Sequence, residues 1–403
     1  MIMNILQTFR SYLKFACGSV LVIFGSADAA YAASEARNIA LSASFTADLA
    51  AVVDGGAARG ARYLDNLDVT ADLDLDALSG WSGAKGHIYM LNNLGGRPND
   101  LAGTAQGINN IEVTSHRAKI YEAWIDQNFM ADHSSLRLGL YDLNSEFCTN
   151  EAAGLLIAPA FGIGSELSAT GPNGPSIFPS TALAARLKVT FGNTYAMAAA
   201  LNANAATIGD PGGMKFSFYN GVLAIAEVGR ASARNKIAVG AWSYSKRQPK
   251  IDADLLPMPG MKHGSRGVYM LAEAELLANG DNDRAVTGFA RAGLSDGRTS
   301  PFKGGWQAGL LIDRPFAGRP ESQLSIGVNQ AFLSSGFRRL VQPGAPRLGG
   351  SETGFEISYS DRILPALTLQ PDLQYIYKPD GDHSHRDVLV VGLRTTIAFD
   401  FGW

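Results

Sequence analysis

Cysteine is scarce in this sequence, which limits what can hold its fold together. Only Cys17 and Cys148 occur among 403 residues. Cys17 falls in an N-terminal segment, residues 1–32, that has the features of a secretory signal. Once that segment is removed a single thiol remains, so no intrachain disulfide can form.

Long apolar runs and basic tracts are also absent. After residue 33 no run of 18 apolar residues occurs, so that part of the chain has no candidate for a membrane-spanning helix. The formal net charge is −3, and residues 1–32 carry Arg10, Lys14 and Asp28. Without them 32 basic and 36 acidic side chains remain, a net charge of −4. This balance gives no reason to expect binding to nucleic acid.

Signals for catalysis, metals and cofactors are weak. His383 and His385 flank Ser384 beside Asp382, but on a polar loop such a pair is typical of solvated side chains. Gly162 and Gly164 begin a G-x-G pattern without the strand-then-helix context that a phosphate site needs. We therefore predict no catalytic residues, no metal site and no cofactor.

The N-terminus resembles an export signal. Arg10 and Lys14 precede the short apolar run 15–24, and Ala30 and Ala32 supply the small residues needed before a cleavage site. This pattern predicts a signal peptide at residues 1–32, with residues 33–403 as one domain. A membrane anchor over residues 15–33 is the alternative, although its glycines and Asp28 weaken it.

The remaining sequence alternates between apolar and polar residues with a period of two. In segment 67–76, Leu67, Val69 and Leu73 alternate with aspartates, and segment 367–377 behaves in the same way. A strand places each set on one face, whereas a helix would scatter both sets around its axis. The alternation predicts about sixteen strands, at 40–53, 61–76, 84–93, 116–129, 134–146, 181–191, 194–206, 214–229, 235–247, 266–278, 284–295, 304–315, 321–333, 352–361, 366–378 and 387–402.

The connections between these strands alternate in length. Short turns such as 192–193 and 362–365 alternate with long connections, although 54–60 and 207–213 are short where a long loop is expected. Short periplasmic turns and long extracellular loops are typical of outer-membrane barrels. The predicted fold is therefore an all-β, transmembrane antiparallel barrel, whose closure satisfies every backbone group in lipid. A secreted soluble sandwich remains the alternative, since its strands would alternate as well.

Three stretches resemble the carbohydrate-selective porin family (OprB type) of Gram-negative outer membranes. They are 121–147, 161–188 and 367–394, and the run Asn173–Pro179 in the second stretch is the most unusual. The resemblance implies a sixteen-stranded barrel that admits monosaccharides and other small polar solutes. It departs from the family at the Ala- and Gly-rich segment 40–60, which leaves the first strand and the solute preference open.

Strand parity predicts which side chains face the lumen, because a charge on the lipid face is costly. The residues predicted to face outward are Tyr121, Ala123, Ile125, Leu136, Leu138 and Leu140. The predicted pore-lining set is Asp68, Asp72, Asp74, Glu122, Trp124, Asp126, Arg137, Tyr141, Arg291, Gln374 and Arg394. Such groups could bind sugar hydroxyls, with Trp124 lying against an apolar sugar face. Ordinary solvated wall residues are the alternative reading.

The long connection 147–180 is a candidate constriction, because a loop of that length in a compact domain is commonly functional. Its candidate groups, together with the residue just before it, are Glu146, Glu151, Asn173 and Ser176. By parity Asp142 and Asn144 would face outward, so either they lie above the membrane or a bulge changes the register.

We therefore predict a passive outer-membrane channel for small hydrophilic solutes, with sugars foremost. A general porin, or one specific for another solute, is the first alternative, and a soluble glycan-binding or glycan-processing protein is the second. The expected partners are small sugars, outer-membrane lipid and, through the terminal Trp403, the barrel assembly machinery. The sequence leaves open whether the barrel works alone or as a homotrimer.

Overall fold

Sixteen antiparallel strands close into one barrel in the computed structural model, which describes residues 38–130, 133–255, 260, 262–279, 284–341, 349–382 and 384–402. The barrel strands are β1 (Ile39–Asp54), β2 (Gly60–Asp74), β3 (Ala84–Gly95), β4 (Arg117–Phe129), β5 (Ser134–Tyr141), β6 (Ala182–Phe191), β7 (Thr194–Asn202), β8 (Val222–Ala231), β9 (Asn235–Tyr244), β12 (Arg266–Asn279), β13 (Arg284–Ser295), β14 (Phe302–Asp313), β15 (Gln323–Leu333), β16 (Ser351–Leu364), β17 (Leu367–Tyr377) and β18 (Val388–Gly402). Two short strands, β10 (Gln248–Pro249) and β11 (Lys262–His263), pair within one loop. The predicted fold is confirmed.

Helical segments are short and lie in the connections. The α-helices are α1 (Leu75–Ser79), α2 (Asn99–Ala102), α3 (Ser165–Ser168) and α4 (Ser335–Val341). The 3-10 turns are Leu143–Ser145, Glu151–Ala153, Pro159–Phe161, Ala253–Leu255 and Pro379–Gly381. Within the described ranges, no helix is both long enough and apolar enough to cross a bilayer.

Closure occurs between the first and last barrel strands. β1 pairs with β18 from Ala40 opposite Gly402 to Asp54 opposite Leu389, and it pairs with β2 on its other side. Residues 40–54 of the divergent segment therefore form a complete strand. Small residues there do not prevent pairing, because the backbone ladder requires only extended geometry.

The barrel has an apolar outer face and a polar interior. Leu138 on β5 is 51% exposed, whereas Arg186 on the neighbouring strand is 1% exposed. Valine, leucine and isoleucine side chains are exposed at alternate positions around the barrel, while carboxylates and amides between them are buried. This is the reverse of a soluble protein, and lipid is the solvent that favours it.

The predicted strand 134–146 extended too far, because local side-chain hydrogen bonds end it early. β5 stops at Tyr141 rather than 146, since the Asp142 carboxylate accepts the Asn144 N–H at 2.8 Å and starts a 3-10 turn. Asp142 and Asn144 thus lie in a loop and not on the outward strand face.

The connection predicted as a short loop at 207–213 is long and runs from 203 to 221. β7 ends at Asn202, whose side-chain amide donates to the carbonyls of Lys215 and Ser217 at 3.1 Å each. These bonds fold the loop back on itself, so the alternation of short turns and long loops is clearer in the structure than in the sequence.

Tyr121 does not face outward, contrary to the prediction from parity. The register of β3 against β4 pairs Tyr89 with Glu122 and Met90 with Ile120, which leaves Tyr121 as the extra residue of a bulge. Its side chain is buried, and its hydroxyl donates to Asp142 at 2.6 Å. Ile125, beyond the bulge, is exposed as predicted.

Candidate functional site

Charged and aromatic side chains on the inner faces of β4, β5 and β6 form a continuous network with Glu146, which lies in the loop after β5. Arg137 binds Asp126 at 2.9 Å and Glu146 at 3.5 Å. Arg186 binds the same two carboxylates at 2.8 and 2.7 Å, and Lys188 reaches Glu146 at 3.4 Å. We call Glu122, Trp124, Asp126, Arg137, Tyr141, Glu146, Arg186 and Lys188 the wall cluster.

Trp124 orients Arg137 within the wall cluster. The Arg137 guanidinium lies 3.6 Å from the Trp124 ring centroid, and His87 stacks on the indole with centroids 4.8 Å apart. The indole N–H donates to Glu122 at 3.1 Å. Because Arg137 and His87 both stack on the ring, the structure does not favour the prediction that Trp124 is a platform for a sugar face.

The wall cluster is balanced in charge and partly open to solvent. Glu122, Asp126 and Glu146 face three basic groups, while Arg137, Glu146 and Lys188 remain 14%, 16% and 36% exposed at the side chain. Burial alone would raise the pKa of Glu146, but Arg137 and Arg186 outweigh that effect and hold its pKa below the ordinary value. Glu146 is therefore an anionic acceptor at neutral pH.

The loop 142–181 contacts the inner wall at points far apart around the barrel. Glu356 on β16 accepts the backbone N–H groups of Ile157 and Ala158, the latter at 3.0 Å. On β8, Glu227 accepts the N–H of Cys148 at 3.0 Å. These bonds fix the loop at widely separated points of the wall, so it crosses the barrel interior.

Arg291 is a loop anchor rather than an open pore-lining group. It is buried, and its guanidinium donates to the carbonyls of Cys148, Ala160 and Gly162 at 2.9, 2.9 and 2.8 Å. It also donates to the Gln307 side-chain oxygen at 3.1 Å. Desolvation explains why this charge has four acceptors, since a buried guanidinium without partners would be costly.

A second loop, 96–116, also enters the barrel. Glu352 accepts the N–H groups of Ala105 and Gln106 at 2.8 and 3.0 Å. Gln374, predicted to line the pore, is buried and donates to the Ile108 carbonyl at 2.9 Å. The two loops meet where the Asn110 N–H donates to the Ile157 carbonyl at 2.9 Å.

The other predicted wall residues lie at separate positions. Arg394 pairs with Asp48 at 2.7 Å and also donates to Asn110, so it holds the second loop. Asp68 accepts from the Tyr89 hydroxyl at 2.7 Å, and Asp72 pairs with His87 at 2.7 Å. Asp74 caps α1 by accepting two backbone N–H groups, so it stabilises the first turn of the helix that follows β2.

The predicted constriction groups divide into one exposed residue, one wall partner and two structural residues. Glu151 is exposed at the start of a 3-10 turn, and Glu146 belongs to the wall cluster. Asn173 exchanges two hydrogen bonds with the backbone of Ala205, which ties this loop to loop 203–221. Ser176 is buried, donates to the Tyr141 carbonyl and accepts from Ala182, so it does not face the lumen.

A family model described as the OprB family of carbohydrate-selective porins matches residues 58–399. The chain belongs to this family. Porin B of Pseudomonas aeruginosa is 22% identical over 401 residues, covering 88% of this chain and 86% of that protein. The predicted carbohydrate-selective porin of the Gram-negative outer membrane is confirmed, and the family and the closed barrel are those of a channel.

Solved structures share the fold at low sequence identity. The high-pH structure of OprB from Pseudomonas putida aligns with a TM-score of 0.78 at 19% identity, over 90% of this chain and 94% of that one. The outer-membrane channel DcaP of Acinetobacter baumannii aligns with a TM-score of 0.53 at 12% identity, over 90% and 97%. Together with the family match, the shared closed barrel rules out the soluble β sandwich of the alternative prediction.

Several structural residues of this porin were missed by sequence reasoning. Arg186 and Lys188 extend the wall cluster, and Glu227, Glu352 and Glu356 anchor the inner loops. All five lie at inward positions of strands in which polar and apolar residues alternate, so parity could have identified them as lumen-facing. Their loop partners could not be identified, because those contacts join residues up to 247 positions apart.

Among the described residues of the polar loop that holds Asp382, no metal-binding geometry is found. His385 lies 3.9 Å from Asp382, while His383 lies outside the described residues. Across the rest of the described chain, no three His, Cys, Asp or Glu side chains are placed to hold a metal ion.

Proposed function

We propose that small sugars, chiefly monosaccharides, diffuse passively along the wall cluster through a passage narrowed by loop 142–181. The observation that carries this proposal is the anchoring of that loop to strands as distant as β8 and β16. A loop held across the interior reduces a sixteen-stranded barrel to a narrower path.

The wall cluster supplies the chemistry that a sugar requires. Sugar hydroxyls both donate and accept hydrogen bonds, and Arg137 and Glu146 offer a donor and an acceptor within one network. Because opposite charges alternate and nearly cancel, the path is polar without a strong preference for one ion sign. A solute can therefore exchange its water for wall contacts and leave again.

The test is single-channel conductance in planar bilayers with increasing glucose. We expect stepwise conductance that glucose reduces, and Arg137→Gln should weaken the block about tenfold, because a hydrogen bond to a charged group typically contributes about 1.5–3 kcal/mol. The control is Arg230→Gln, an exposed arginine on the outer face of β8.

Conductance without any glucose block would favour the general porin. An equal loss of block in Arg137→Gln and Arg230→Gln would show that Arg137 does not contact the solute. Either result contradicts the proposal for the wall cluster, while stepwise conductance itself would still be expected of a porin.

Export and assembly belong to the same proposal. We infer that residues 1–32 are removed as a signal peptide, that residues 33–403 form the mature domain, and that Trp403 contributes to recognition by the assembly machinery. Residues 1–37 and Trp403 lie outside the described residues. The proposal assigns the chain no catalytic step and no cofactor, and it leaves trimer formation as a prediction.

A further inference from the structure

An apolar groove of about 670 Å³ lies on the outside of the barrel, where β8, β9, β12, β13 and β14 run side by side. Small side chains there, including Ala226, Ala241 and Ala292, are flanked by larger ones. The larger outward side chains are Val228, Val239, Val268, Met270, Leu294 and Trp306. The groove thus offers a wide depression rather than a flat face to the lipid.

A polar pocket of about 400 Å³ lies at the extracellular end of the same strands. It is lined by Ser243, His263, Gly264, Ser265, Arg266, Asp296 and Arg298. The side-chain nitrogens of Arg298 and His263 lie 3.3 Å apart. Among the described residues, the buried Ser265 hydroxyl and the second ring nitrogen of His263 have no hydrogen-bond partner.

The pocket continues the groove along the strands. Arg266 comes two residues before Val268, and Ser243 comes two residues after Ala241, opposite Arg266 in the β9–β12 register. Alternate residues of a strand share a face and are separated by about 6.6 Å. The polar pocket therefore adjoins the apolar groove at its extracellular end, and both lie on the lipid-facing surface of the barrel.

Positive charge prevails around the pocket. Arg266 and Arg298 face one carboxylate, Asp296, which is already engaged by the Arg298 backbone N–H at 3.1 Å. An adjoining pocket of about 250 Å³ shares Arg298 and adds three basic residues and Asp252, which pairs with Arg339 at 2.5 Å. Those basic residues are Lys250, Lys303 and Arg339.

We propose that this outer face binds lipid A of the outer leaflet, with a phosphate between Arg266 and Arg298 and an acyl chain in the groove. The long loops place the pocket at the extracellular side, which is the leaflet where lipid A lies. Guanidinium groups match phosphate oxygens in charge and geometry. The apolar groove directly below accepts the chain that such a lipid must carry.

The test is native mass spectrometry of the full-length barrel in detergent, titrated with diphosphoryl lipid A. The double variant Arg266→Gln/Arg298→Gln should weaken binding about tenfold or more, since charge-assisted contacts to phosphate are lost. Ala241→Trp fills the groove without changing charge, and it should weaken binding too. Arg230→Gln, at the opposite end of the same outer face, is the control and should bind like the wild type.

Two results would overturn the proposal. The double variant could lose no more affinity than the control Arg230→Gln. Alternatively, inorganic phosphate could displace the ligand while Ala241→Trp binds normally, which would show a site for free anions. Heat-modifiable gel mobility of each variant confirms that the barrel has folded.

Discussion

At the scale of single residues, buried glutamates on the wall hold the inner loops in place. Glu356 is 1% exposed and accepts two backbone N–H groups from loop 142–181. A buried N–H that loses its acceptor costs about 1–3 kcal/mol. The loop therefore depends on a few carboxylates that no sequence motif distinguishes.

Glu356→Ala should release the 157–158 segment and increase both the conductance and its fluctuations. The loss of about 2 kcal/mol would raise the population of opened loop about thirtyfold. Single-channel recording measures the change, with Glu321→Ala as the control because that exposed carboxylate only approaches Arg362, at 3.9 Å. If Glu356→Ala left the single-channel conductance and its fluctuations unchanged, contacts other than those of Glu356 would hold the loop.

Asp142 gives the start of the loop a pH dependence. Burial raises the pKa of Asp142 to about 6 from an ordinary value of 3.8. An acid whose folded pKa is raised is most stabilising while protonated, so this contribution is complete below pH 3.8 and is lost as the pH rises to about 6. Protease cleavage of loop 142–181 should then be slower at pH 4 than at pH 7, after correction for the protease's own pH profile.

Asp142→Asn is the matched variant, because the amide keeps the shape and cannot ionise. It should reduce the difference in cleavage between the two pH values. An undiminished difference in Asp142→Asn would assign the pH effect to another group.

At the scale of elements, strands were predictable from the sequence because lipid on one face and water on the other impose a period of two on each strand. β6 shows the reason, since Leu187 must suit lipid and Lys188 must suit water. Strand ends were less predictable, because Asp142 and Asn202 redirect the chain through side-chain hydrogen bonds that parity does not include. The bulge at Tyr121 escaped prediction for a similar reason, as its stability depends on the distant Asp142.

The candidate site was only partly predictable. Glu122, Asp126 and Arg137 were found by parity, because charges are confined to the inner face. Parity could not separate residues that remain partly open, such as Arg137, from those that loops cover, such as Arg291 and Gln374. That distinction depends on where two long loops fold, which is decided by contacts between residues far apart in sequence.

At the scale of the whole molecule, the inversion of polarity relative to a soluble protein, with an apolar exterior and a polar interior, explains both the fold and the path for solutes. Apolar rows face outward, and a hydrogen-bonded interior is filled in part by loops 96–116 and 142–181. The one cysteine among the described residues, Cys148, is buried within this interior, and burial raises the pKa of its thiol to about 12. It is therefore unreactive toward aqueous thiol reagents at neutral pH, which allows engineered cysteines to report on either face.

Cysteine substitution at the neighbouring residues Leu187 and Lys188 tests this inversion most directly. In a planar bilayer, a charged methanethiosulfonate added to the aqueous phase should react with Lys188→Cys and change the conductance, while Leu187→Cys should not react because lipid covers it. Reaction at both positions, or at Leu187→Cys alone, would contradict an apolar outer face around a water-filled lumen.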